Sequence, residues 1–172
     1  AGPALHYAED VMEEIARDKP DLVVTSELLL GVMTGCEAAG QPFAVLPCNW
    51  PFYPLDNAPC AFPAHRATMT AEERAAVQGM KDGLKAMFDH GLPAVNAARS
   101  QLGLPEISTV LQQVEAARMI LIGISRHFDF APEEDTPGFR YVGPQLDDPT
   151  WAQDWTPAWP VDNGRPFVLV SF

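Results

Sequence analysis

The feature that most limits the fold is a repeated change of hydrophobic period in the first 46 residues. Leu5, Ala8, Met12 and Ile15 recur at spacings of three and four, which puts them on one helical stripe. Pro20 stops that helix. Asp21 through Thr25 then reads as a short buried strand. Residues 28–39 return to helical spacing through Leu29, Val32, Met33 and Cys36, and Gly40 closes the helix. Phe43 through Leu46 is a second buried strand, followed by Pro47. Helix, strand, helix, strand at this pitch predicts an α/β chain with a parallel sheet and crossover helices.

The remainder continues the pattern with one interruption. Residues 48–63 carry Pro51, Pro54, Pro59 and Pro63 among aromatics, so no regular helix fits and a long binding-type loop is expected. Thr70 and Glu73 have the spacing of a capping box. Val77, Met80, Leu84 and Met87 are expected to form the buried face of the helix that follows, which ends at His90 and Gly91. Pro93 suits the first turn of the next helix, and Gly103 with Pro105 closes it. Ile107, Val110, Leu111 and Val114 form another helical stripe. Residues 118–122 and 139–142 read as strands. Residues 143–166 are rich in Pro, Asp and Trp and read as a linker, and residues 167–171 as a final apolar strand.

A chain of 172 residues, 47% hydrophobic and 20% charged, is long enough for one domain with its own core. The net charge is −12 and no Lys/Arg cluster interrupts it, so no nucleic-acid-binding face is expected. Cys36, Cys48 and Cys60 contain no CxxC pair, which argues against a disulfide framework or a zinc site and fits a reducing cytoplasm. Cys36 lies in a helical stripe and is expected to be a buried thiol. No apolar run approaches the ~20 residues that span a bilayer. The start, Ala1-Gly2-Pro3, has neither Met nor the pattern of a signal peptide and reads as the interior of a longer protein.

Several stretches resemble the bacterial glycosyltransferases that act on macrolides and other natural-product aglycones. Pro20 through Ser26, with Gly31 and then Glu37 through Gly40, resembles that family's fourth strand and next helix. Asn96, Ala97, Ala98 and Arg99 with Leu102 through Pro105 resembles its NAARxxLGLP run. Arg126 through Asp129, followed by Arg140 through Pro144, resembles its sixth strand and the start of its interdomain linker. Arg165 through Ser171 resembles the first strand of its sugar-donor domain. Each match is short, but together they follow family order along essentially the whole chain.

The resemblance implies a two-domain GT-B architecture, of which this chain holds part. Residues 1–142 would be an incomplete acceptor-binding domain, a Rossmann-like three-layer α/β/α sandwich lacking its first strands. Residues 143–166 would be the linker, and 167–172 the first strand of the donor domain. It implies an inverting transfer from a nucleoside diphosphate sugar, UDP- or dTDP-linked, to a hydroxyl of an apolar small-molecule acceptor, with no cofactor and no metal. The general-base histidine and the donor signature would lie outside residues 1–172, so the chain alone is expected to be inactive. A missing neighbour strand would expose an edge, and self-pairing or complementation is expected there. The alternative is a non-catalytic aglycone-binding module of the same fold. A nucleotide-sugar epimerase is disfavoured by the proline- and aromatic-rich loop.

Ligands of open α/β sheets sit beyond the carboxyl ends of strands. At the first end, Ser26 occupies the position where the family carries a base-orienting Asp, with Glu27 beside it; the other reading is that Ser26 caps the following helix. At the second, Asn49, Trp50, Phe52 and Tyr53 would line an acceptor pocket, or else pack on their own domain. Met87 and Phe88 are further acceptor-side candidates, with core packing as the alternative. Ser125 and Ser171 are the donor-side candidates, Ser125 alternatively forming a local turn bond. His6, His65, His90 and His127 form no metal-type pair, and none is assigned as the base.

Overall fold

The computed structural model describes residues 3–48, 55, 58, 59, 69–129 and 134–144. Five helices and four strands alternate: α1 (Ala4–Asp18), β1 (Val23–Thr25), α2 (Leu30–Ala38), β2 (Phe43–Val45), α3 (Ala71–Asp89), α4 (Leu92–Gln101), α5 (Leu111–Glu115), β3 (Met119–Ile122) and β4 (Phe139–Tyr141). The strands form one sheet in the order β1-β2-β3-β4, every pair parallel. The expected α/β, Rossmann-like arrangement is present.

The stop signals act through backbone geometry. Gly40 and Gly103 both adopt positive φ, 65° and 74°. Each lets the chain fold back on its helix end, with Gln41 N–H donating to Cys36 O and Leu104 N–H to Arg99 O, both at 2.8 Å. These are the six-to-one bonds of a Schellman motif, which satisfy carbonyls that a helix end leaves free. α1 ends instead on Lys19 in the left-handed region, with Pro20 next. The Thr70–Glu73 capping box forms in both directions.

Strand order rises along the chain, and parallel crossovers of the right hand that such sheets favour would carry their helices to one face. The described core agrees. Met33 and Cys36 of α2, Leu111 and Val114 of α5, and Phe43, Val45 and Ile120 of the sheet form one buried cluster. Leu55 joins it from the proline-rich segment, and Val11 and Ile15 of α1 pack against it. The α1–α2 contact is close because Gly31 and Gly35 lie against the backbone of Ala4 and Ala8.

The opposite face alternates out of register with that core. Val24, Ala44 and Met119 lie side by side across three strands. Val24 is 55% exposed, and Leu22 just before it is also exposed. On the same face Ala44 is buried, at 2% exposure, so cover differs from strand to strand. Among the described strands β1 stands at one edge of the sheet.

Two expectations need correction. The α3 stripe is not a buried face: Val77 and Leu84 are half-buried, Met80 and Met87 are exposed, and α3 has no buried residue. The helix docks through its last turn, where Asp89 accepts hydrogen bonds from Thr109 Oγ1 and Val110 N–H at 2.8 and 2.9 Å. The stripe from Ile107 is broken as well. Residues 104–110 are irregular and only Leu111–Glu115 is helical, although Val110, Leu111 and Val114 are buried as expected. The assignments on residues 145–172, including the linker and the final strand, lie outside the described residues.

Candidate functional site

Parallel pairing brings the carboxyl ends of all four strands to one rim of the sheet. The loops after β1 and β2 are joined there by one carboxylate. Glu27 is buried at 2% exposure, and its Oε2 accepts from the Ser26 hydroxyl at 2.8 Å and from Cys48 N–H at 2.9 Å. Ser26 Oγ also lies 3.5 Å from the exposed Cys48 thiol. A carboxylate taken from water needs such donors to offset its desolvation.

Ser26 therefore does not cap α2. The N-cap position is Leu29, which supplies no side-chain bond. The Ser26 oxygen accepts only weakly from Leu28 N–H, at 3.4 Å, in a local turn. The adjacent carboxylate is the better partner, because hydrogen bonds to ionised groups are the stronger ones.

At the third strand end, Ser125 makes a turn. Its Oγ accepts from His127 N–H at 3.3 Å, and its carbonyl from Phe128 N–H at 2.9 Å. The same residue lines a cavity of about 970 Å³ along β3 and β4, with Arg126, His127, Asp135, Arg140 and Tyr141. The Arg126 guanidinium lies 5.4 Å from the centroid of the Tyr141 ring and pairs with Asp135. The Tyr141 hydroxyl donates to Asp129, which is buried, at 2.5 Å.

The remaining candidates separate. Phe88 packs against the core cluster, whereas Met87, one position earlier, is 54% exposed. Asn49, Trp50, Phe52, Tyr53 and Ser171 lie outside the described residues. His6 pairs with Glu9 on the exposed side of α1, and His90 Nδ1 meets Ala86 O at the end of α3, so neither is at the rim. Among the described residues no group of three His, Cys, Asp or Glu is placed to hold a metal ion, and no helix is long and apolar enough to cross a membrane.

A polar network joining α2, α4 and α5 had no periodic signal in the sequence. Arg99 is buried on α4 and donates to Glu37 of α2, to Gln113 of α5 and to Pro105 O. Gln113 also donates to Glu37 and accepts from Thr34. The Arg99 hydrogen bond holds the Glu37 carboxyl below its ordinary pKa, against the opposing effect of partial burial. Cys36 nearby is fully buried, and desolvation pushes its thiol up to about 11. It is the inert buried cysteine its helical position predicts.

No protein-family model and no curated protein matches the chain. Among solved structures, the chain is similar to one described as the glycotransferase of kitacinnamycin, with a TM-score of 0.48 and 19% identity. That likeness covers 90% of this chain, which spans 37% of the length of the other.

Proposed function

We propose that this chain is the acceptor-side portion of an inverting glycosyltransferase of GT-B architecture. In this reading the parent enzyme moves a sugar from a nucleoside diphosphate, UDP or dTDP, to a hydroxyl of an apolar, natural-product-like acceptor. Residues 1–142 belong to the acceptor domain, 143–166 to the linker and 167–172 to the donor domain. No cofactor or metal is required. Such a transfer needs a base for the acceptor hydroxyl, stabilisation of the leaving diphosphate and a cleft holding both substrates.

The observation that carries the reading is where the family-like residues fall. Ser26 with Glu27 and Ser125 all follow parallel strands at the same rim, which is where open α/β sheets hold ligands. Cys48, which leads into the aromatic segment that includes Asn49, Trp50, Phe52 and Tyr53, is tied to Glu27 at that rim. The exposed Met87 is a further acceptor-side residue. The exposed β1 edge fits pairing with another strand, from a second copy or from a complementing segment.

A second reading is favoured by one contact. The Ser26 hydroxyl, at the position of the family's base-orienting Asp, is turned onto Glu27. A site wired this way fits a module that binds aglycones without acting on them.

The test combines binding and turnover. The chain is titrated with a panel of macrolide aglycones while its backbone amide spectrum is followed, and separately incubated with radiolabelled UDP- and dTDP-glucose plus aglycone. Shifts clustered at residues 26–28 and 46–48 without label transfer are the expected result. Absence of aglycone binding overturns both readings. Transfer by a longer form carrying donor-side sequence selects the first reading, and its failure there selects the second.

A further inference from the structure

The side of α3 that faces α5 is polar. A groove of about 360 Å³ separates the two helices, with Gln78, Lys81, Asp82 and Lys85 on the α3 wall and Leu111 and Glu115 on the α5 wall. The four α3 positions are three, one and three residues apart, which is the spacing of one helical face. Apolar side chains of the same helix lie elsewhere, and Met80 and Met87 are exposed. No residue of α3 is buried, so close packing does not fix the angle at which the helix stands. In its last turn Asp89 accepts from Thr109 and Val110, which ties that end to the start of α5.

The charges across the groove are opposite and unjoined. Lys81 and Lys85 stand one turn apart, a like-charge pair at i, i+4 that repels. Glu115 stands on the other wall. None of the three forms an ion pair among the described residues. Asp82, on the lysines' own wall, accepts instead from Gln78 Nε2 at 2.8 Å. Closing the groove would relieve the repulsion and pair Glu115 with a lysine. Lys85 and Glu115 are exposed. A pair between such side chains is weak, so it would favour the closed position by no more than about fivefold.

We propose that α3 is a salt-sensitive arm with two positions: the open one seen here, and a closed one in which Lys81 or Lys85 pairs with Glu115 and the groove is lost. Asp89 keeps its bonds to Thr109 and Val110 in both. Lys81 lies eight residues from Asp89. That is about 12 Å along the axis, so a change of angle of about 10° moves its backbone by about 2 Å. The flexible lysine stem covers the remaining gap. Salt screens the attraction and returns the helix to the open position. The inference rests on the groove alone, and it holds or fails independently of glycosyl transfer.

The test measures the angle between α3 and the sheet. Amide residual dipolar couplings of the chain are recorded in an uncharged polyacrylamide gel, at about 20 mM and about 500 mM sodium chloride. The couplings of β1 to β4 supply the fixed frame. At the lower salt α3 is expected to tilt toward α5 by about 10° relative to the higher. Glu115→Gln alters one exposed side chain and should hold the helix at its high-salt angle in both conditions. The double variant Lys81→Gln with Lys85→Gln should do the same. A wild-type angle that does not change with salt overturns the proposal, and so does a Glu115→Gln variant that tilts as the wild type does.

Discussion

Arg99 donates to both oxygens of Glu37 through its two terminal nitrogens, at 2.6 and 2.9 Å, and so joins α4 to α2. The arginine side chain is 3% exposed and the glutamate 30%. Removing one partner of a buried pair leaves the other charge uncompensated. Glu37→Gln should therefore destabilise the fold by about 3 kcal/mol, read from the urea midpoint. The acid limb follows from the same contact. The Glu37 pKa is lowered in the folded state, so its contribution is present above the unfolded carboxylate value and is lost as pH falls through the folded one. Wild-type stability should fall below about pH 4.3, and Glu37→Gln should flatten that part of the profile.

Gly35 is one of two glycines, with Gly31, on which α1 and α2 meet closely. A Cβ added there would lie 2.6 Å from Ala8 O and 2.5 Å from Val11 Cγ1. The backbone oxygen cannot move aside without shifting α1. Gly35→Ala should cost roughly 1–3 kcal/mol through overpacking, despite the better helix propensity of alanine. Gly79→Ala on α3 meets open space and should instead stabilise, by about 1 kcal/mol. Thermal unfolding of the two variants in parallel checks the contrast.

Thr25 ends β1 with a buried hydroxyl that finds no hydrogen-bond partner among the described residues. An unsatisfied buried polar group costs about 1–3 kcal/mol. Thr25→Val keeps the branched shape and removes that cost, so the variant should be more stable by about 1 kcal/mol. An unchanged or lower denaturation midpoint would show that the hydroxyl finds a partner in solution.

The β1 edge presents Leu22 and Val24 to solvent. Exposed apolar edges template pairing with other strands, and a lysine on the edge is a common natural block. The chain should associate as its concentration rises, and Val24→Lys should return it to monomer with its unfolding midpoint little changed. Sedimentation velocity distinguishes the two.

Local chemistry made most elements legible from the sequence. Pro20, Gly40, the Thr70–Glu73 pair and Gly103 each act within a few residues of themselves, so their consequences could be read there. The failures have one cause, which is that partners distant in sequence leave no local mark. The apolar spacing of α3 shows which side is apolar, but not whether anything packs on it. Ser26 looks like a cap until Cys48, 22 positions later, is brought beside Glu27. Glu37 and Gln113, 76 positions apart, carry no periodic signal, although Arg99 stands within the NAARxxLGLP-like run. Of the candidate site, the strand-end positions were legible and the hydrogen-bond directions were not.

The way α3 is held has a mechanical consequence. Its 19 residues make a rod about 28 Å long, and its described attachments concentrate at Phe88 and Asp89. A pivot of about 10° at that foot would carry the Thr70 tip through about 5 Å. A small adjustment beside Thr109 would thus be read out as a larger displacement at the Thr70 end of α3.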